Sequence, residues 1–206
     1  MKTLQHMLQQ GQVWQADQVA SNPTLTTGFA ALDQILPGGG WNLGAVHELY
    51  SSQQGQGELS LVLPALARLS QRARWIVWVG PPFLPCAAAL AQAGIHYERV
   101  LLVHPRDYQQ AMWSMEEALR SPHCCAVLGW PSEWHKDHIR RLQISAQEHD
   151  SLCWLWPQTP FDASGSPAAI RLGIRRTHIN AVDVECYKRR GAWPLPPVNI
   201  QLPPIH

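Results

Sequence analysis

The sequence is short of charge. Only 15% of its 206 residues are Asp, Glu, Lys or Arg, against about a quarter in ordinary globular chains. Its net charge of +1 leaves no global electrostatic footprint for nucleic acid, so any such contact must rest on a local patch. No lysine occurs between Lys2 and Lys136. The five cysteines, Cys86, Cys124, Cys125, Cys153 and Cys186, are odd in number and show no C-x-x-C spacing. That argues against a disulfide framework or a zinc site and for reduced, buried thiols in a cytosolic protein. No stretch approaches 18 uninterrupted apolar residues, and no apolar run follows Lys2, so neither a membrane span nor a signal peptide is expected. A G-x-S-x-G elbow is missing, and no carboxylates are paired in an acid/base context. His135-x-x-His138 lacks a third ligand, so no metal is expected. Nothing argues for catalysis.

What the chain does have is tryptophan, ten residues of it. On a weakly charged protein this means either a Trp-heavy core or apolar area covered by a partner. The length suits one α/β domain with a small appendage.

The central stretch is TGFAALDQILPGGGWNLGAVHELY, Thr27–Tyr50, followed by SSQQGQGEL. It reads as a short helix (Phe29, Leu32, Ile35 and Leu36 on one side), a glycine turn at Pro37–Gly40 and a buried strand, Val46–Tyr50. A strand, a Gly/Ser/Gln loop and an apolar helix from about Glu58 form the layout of a phosphate-binding loop. The loop residues are Ser51, Gln54, Gly55, Gly57 and Glu58. A working loop needs G-x-x-x-x-G-K-[ST], but the Lys position falls at Gly57 and the hydroxyl position at Glu58. A carboxylate there would repel the anion that the helix N-terminus attracts. No cofactor is therefore expected.

Downstream, Leu59, Val62, Leu66 and Leu69 keep helical spacing, with Pro64 inside the run kinking it or shifting its start. WIVWV (Trp75–Val79), Val100–Val103, Cys124–Trp130 and Leu152–Trp156 read as buried strands. Between them fall helices at Leu84–Ala93, after the Asp107-x-x-Gln110 cap, and at His135–His149. Strands alternating with helices give right-handed βαβ units and a parallel sheet. The acid that holds Mg²⁺ at a strand end in phosphate-loop hydrolases is also missing, since the strand ends Leu128-Gly129-Trp130.

After Pro157 the pattern changes. AIRLGIRRT (Ala169–Thr177) and AVDVECY (Ala181–Tyr187) alternate apolar and polar like an antiparallel hairpin. Arg171, Arg175, Arg176, Lys188, Arg189 and Arg190 fall on it, a candidate patch for phosphates or an acidic partner, or else a charged, protected edge strand. A proline-rich tail ends the chain. The expected organisation is an arm over 1–26, a core over 27–191 and a tail over 192–206.

TGFAALDQILPGGGW (Thr27–Trp41), GELSLVLPALARLSQRARWIVWV (Gly57–Val79), HPRD (His104–Asp107), EEALRSPHCCAVLGWP (Glu116–Pro131) and YKRRG (Tyr187–Gly191) resemble the ImuA family. ImuA proteins are RecA-like and are encoded beside ImuB and an error-prone polymerase α-subunit. The resemblance implies a RecA-like three-layer sandwich with a mostly parallel sheet and a C-terminal antiparallel hairpin, without ATPase activity. It also implies a scaffold in SOS-induced translesion synthesis. Its partners would be an ImuB-like protein and the polymerase α-subunit, with RecA and DNA as further candidates, in a cytoplasmic and damage-induced nucleoid location. Leu61–Val79 and Ala118–Trp130 are equally similar to SulA, the RecA-like division inhibitor that binds FtsZ, which makes an FtsZ-binding inhibitor the alternative.

Overall fold

The computed structural model describes residues 23–158, 165–189 and 196–203. The helix expected at Met1–Gln10, most of the arm, Arg190 and the side chain of Arg189 lie outside the described residues. Ten strands and five α-helices are described. In chain order they are β1 Thr24–Leu25, α1 Ala30–Ile35, β2 Trp41–Asn42, β3 Ala45–Ser51, α2 Leu63–Ser70, β4 Trp75–Val79, α3 Ala87–Gln92 and β5 Val100–Val103, then α4 Tyr108–Arg120, β6 Cys124–Gly129, α5 Lys136–Glu148, β7 Leu152–Leu155, β8 Ile170–His178, β9 Ala181–Arg189 and β10 Val198–Gln201.

Eight strands form one sheet in the order β10-β9-β8-β3-β7-β6-β4-β5. Every pairing from β8 through to β5 is parallel, and β9 and β10 add antiparallel. The fold is mixed α/β with a large, mostly parallel sheet. The β8–β9 hairpin is not a sheet edge, because β10, from within the proline-rich tail, pairs with β9 along Val198–Gln201.

Prolines set two helix boundaries. Pro64 lies in the first turn of α2, so that helix starts at Leu63 and not near Glu58. Pro85 likewise delays α3 to Ala87, and Gly94 ends its turn at φ +79°. At α4 the Asp107 carboxylate accepts the Gln110 N–H at 2.8 Å, as its cap spacing predicts.

Each face of the sheet carries a core. On one, Leu32 and Ile35 of α1 and Leu66 and Leu69 of α2 pack with Trp41, Trp78, Trp154 and Trp156. On the other, Met112, Met115 and Leu119 of α4 meet Ile139 and Leu142 of α5. Gly129 permits the second packing, because a Cβ there would lie 2.3 Å from Met115 Sδ. Much of the tryptophan is thus core: Trp130 stacks on Trp156 at 4.6 Å and Trp41 meets Trp154 edge-on at 5.7 Å. Trp113, 61% exposed, is not.

Strand β3 buries two polar residues on opposite faces. Glu48 is fully buried, and its carboxylate accepts from Arg171 Nε at 2.9 Å, Trp134 Nε1 at 2.6 Å and Ser166 Oγ at 3.0 Å. Glu48 and Arg171 are also register partners across β3 and β8. His47 lies 5.2 Å from Trp41 and 6.2 Å from Trp154, with neither ring nitrogen hydrogen-bonded. Burial lowers its pKa from 6.5 to about 3.

Two outcomes follow from this strand. Glu48→Gln strands a buried guanidinium and is expected to cost about 3–5 kcal/mol in denaturant unfolding, whereas Glu48→Leu with Arg171→Met should recover most of that loss. The unfolded chain protonates His47 near pH 6.5 and the folded chain does not until about pH 3. Stability should therefore fall as pH drops through that window, by about 1.4 kcal/mol per unit from this residue at most. A His47→Leu variant should show a flatter pH profile of thermal unfolding between pH 6.5 and 4.

Candidate functional site: a closed loop and an uncharged face

The Gly/Ser/Gln loop after β3 is tied to itself and to the C-terminal strands. Ser51 Oγ donates to the Gln53 carbonyl at 2.7 Å. The Gly55 N–H, which in a phosphate loop would face an anion, donates to Glu58 Oε1 at 2.9 Å, so a side chain of the loop supplies the negative charge. Glu58 is 9% exposed. Gly57 adopts φ +94°, and a Cβ there would approach Leu202 Cδ1 to 2.7 Å and Val182 Cγ1 to 3.0 Å. Arg176 seals the other side: its N–H donates to Gln56 Oε1 at 3.1 Å and its Nη2 to the Gly55 carbonyl at 3.3 Å. Gln54 is exposed in the same loop. At the end of β6, where a metal-holding acid would stand, Gly129 packs against Met115; Glu133 is exposed and pairs with His135 at 3.0 Å.

The hairpin cations among the described residues take separate partners. Arg171 is buried against Glu48. Lys188, its register neighbour on β9, donates Nζ to the Ala168 carbonyl at 2.8 Å and to that of Ser166. Arg175 is exposed and pairs across the strands with Asp183 at 2.8 Å. Arg176 is committed to the loop. These residues are close in sequence, but their partners come from β3, β9, the loop and the segment before β8.

A surface of a different kind lies at the opposite end of the sheet. From Gly80 to Gly94 the chain reads GPPFLPCAAALAQAG, fifteen residues without a formal charge. Phe83 and Leu84 are 72% and 73% exposed on the loop after β4. Only Leu90 of α3 is buried; Ala87, Ala88, Ala89 and Ala91 face solvent. Tyr97, Leu101 and Leu102 are also exposed; on β5, the terminal strand, Leu102 is the register partner of Trp78 on the α3 side of the sheet, whereas Leu101, partner of Val77, faces the other side. Along the chain, formal charge returns with Glu98 and Arg99 before β5 and Arg106 and Asp107 after it. An exposed, uncharged apolar patch is what a protein-binding surface presents at its centre.

Sequence reasoning passed over both Glu48, with its partners Trp134 and Ser166, and this face. A carboxylate in the middle of an apolar parallel strand was the available signal for the first. Fifteen uncharged residues read only as a strand end and an alanine-rich helix were the signal for the second. Of the cysteines, Cys124, Cys125, Cys153 and Cys186 are buried, while Cys86 is exposed. Tyr108 OH and His138 Nδ1 share a hydrogen bond at 2.7 Å, and burial, with the nearby Glu133 charge, pushes the phenol pKa up to about 12. Among the described residues no His/Cys/Asp/Glu group could hold a metal, and no helix is long and apolar enough to cross a membrane.

Comparison with known proteins overturns the translesion reading. The family model described as "Cell division inhibitor SulA" matches residues 44–153, more than half of the chain. The cell division inhibitor SulA of Edwardsiella piscicida is 34% identical over 141 residues, covering 66% of this chain and 83% of that protein. The corresponding protein of Yersinia pestis (strain Pestoides F) is 29% identical over 104 residues, which is 50% of this chain and 62% of the relative. A crystal structure of SulA from Pseudomonas aeruginosa aligns at 27% identity with a TM-score of 0.45, covering 54% of this chain and 96% of that one. The expected ImuB-like, polymerase α-subunit, RecA and DNA partners are withdrawn with the ImuA function. Three of the stretches that carried that resemblance, Gly57–Val79, His104–Asp107 and Glu116–Pro131, lie inside the region that the SulA family model matches. The chain belongs to the SulA cell division inhibitor family.

Proposed function

We propose that this protein inhibits cell division by binding, not by catalysis, with FtsZ as its target and the uncharged face from Gly80 to Gly94, with Leu102 of β5, as the contact surface. The observation that carries the reading is the exposure of Phe83 and Leu84 within fifteen uncharged residues. Large apolar side chains held in water are stabilised by a partner that covers them, at about 25 cal/mol per Å² of apolar area buried. Family membership supplies the expected target, and the uncharged apolar patch is what a protein partner needs.

In this reading the core is RecA-like without a nucleotide. Three features support it: Gly57 and Glu58 where a Lys and a hydroxyl would be needed, the Gly55 N–H engaged by Glu58, and Leu202 closing position 57. The protein then acts in the SOS response as a stoichiometric binder.

Titration of the full-length protein into polymerising FtsZ should suppress assembly at roughly equimolar ratio. Phe83→Ser with Leu84→Ser should raise the concentration needed by about tenfold or more while leaving the melting temperature unchanged. Undiminished inhibition by that double variant would remove the face from the mechanism, and no effect of the unaltered protein on FtsZ would remove the function. For the loop, millimolar ATP with Mg²⁺ should leave the melting curve in place, whereas a ligand at 100 times its Kd would add about 2.7 kcal/mol. Gly57→Lys should lower stability and restore no turnover, because its Cβ meets Leu202 and the residue sits at positive φ.

A further inference from the structure

Helices α4 and α5 enclose a cleft of about 220 Å³ that the proposed function does not use. It lies on the side of the sheet covered by α4 and α5, whereas α3 packs with the opposite core. Its volume is below the roughly 300–1,000 Å³ of sites for drug-sized molecules, which limits an occupant to about the size of one large side chain.

Its chemistry is one-sided. Met112 and the exposed Trp113 indole provide apolar walls. The one carboxylate in the lining, Glu116, is 5% exposed and already holds two guanidiniums, Arg120 at 2.6 Å and Arg141. Its acceptor capacity is therefore largely taken. Arg141, itself exposed, offers five N–H donors and spends Nη2 on Glu116. Tyr108 OH and His138 Nδ1 share a hydrogen bond at 2.7 Å, which leaves Nε2 as the ring's other polar atom at the lining. Gln109 adds an amide at the same lining.

We propose that the α4–α5 cleft binds a carboxylate carried on a compact apolar body, the carboxylate taken by Arg141 with His138 and the body lying against Trp113 and Met112. A bidentate guanidinium–carboxylate pair beside an aromatic wall suits such a group and rejects its neutral isostere. The ligand is either a free aryl or alkyl acid or the same group on a peptide. This inference stands apart from the FtsZ reading, since neither the cleft residues nor its ligand enter that mechanism.

Calorimetric titration of the full-length protein with phenylacetate, phenylacetamide and the capped dipeptide Ac-Phe-Glu-NH₂ tests it. Millimolar or tighter binding of phenylacetate is expected, with the uncharged amide weaker by about tenfold or more. Trp113→Ala and Arg141→Gln should each weaken the acid by about the same factor. Trp113 is exposed, so its variant keeps the test decisive if Arg141→Gln perturbs the fold. Tighter binding of the dipeptide than of the free acid assigns a protein-borne carboxylate, and the reverse assigns a small molecule. Equal affinity for acid and amide, indifference to Trp113→Ala, or no binding of any probe overturns the proposal. Inhibition of FtsZ by the same variants is expected to be unchanged, so loss of ligand binding and loss of the proposed function are read separately.

Discussion

The structure depends on one buried ion pair. Glu48 stands in the middle of β3, at the centre of the parallel sheet, and Arg171 faces it from β8. Desolvating both charges is expensive, and their attraction offsets that only because Trp134 and Ser166 complete the carboxylate's hydrogen bonds. The gain is one of arrangement more than of net stability. A slip of one residue between β3 and β8 would send Arg171 to the opposite face and leave both charges buried and alone. The pair thus fixes how the β8–β10 segment joins the βαβ core, and Lys188 reinforces it by gathering the Ser166 and Ala168 carbonyls beside it.

That junction also determines the condition of the glycine loop. Once β8 is in register with β3, β9 and β10 follow, and they bring Val182, Arg176 and Leu202 onto residues 55–57. Gly55 and Gly57 adopt positive φ, Glu58 takes the Gly55 N–H, and the Leu202 side chain closes the space over Gly57.

Much of the fold was legible in the sequence, because periodicity reports burial directly. WIVWV, CCAVLG and the Met112, Met115, Leu119 stripe lie where their spacing placed them. The helix starts were displaced by Pro64 and Pro85, where proline geometry overrode the apolar spacing. The partners of the hairpin cations were not legible for a different reason. Arg171 and Glu48 are 123 residues apart in the chain, so local counting could see the charge but not its partner. The family assignment erred by setting Thr27–Trp41 and the Tyr187–Gly191 end above Leu61–Val79 and Ala118–Trp130, which both families share. The uncharged face was fully visible as a string of letters, but exposure is set by what fails to pack over α3, and no local pattern encodes that.

The loop that carries Phe83 and Leu84 is bounded by Pro81, Pro82 and Pro85. Each proline fixes its own φ, and each restricts the residue before it to extended conformations. The backbone around the two exposed side chains therefore has little freedom left to lose when something covers them. The entropy of ordering this segment, on the order of 1–2 kcal/mol for each residue's backbone, is largely incurred on folding and not on association. Complex lifetime would then depend on backbone stiffness as well as on contacts. Replacing a proline here by a flexible residue would shorten that lifetime with Phe83 and Leu84 both still in place.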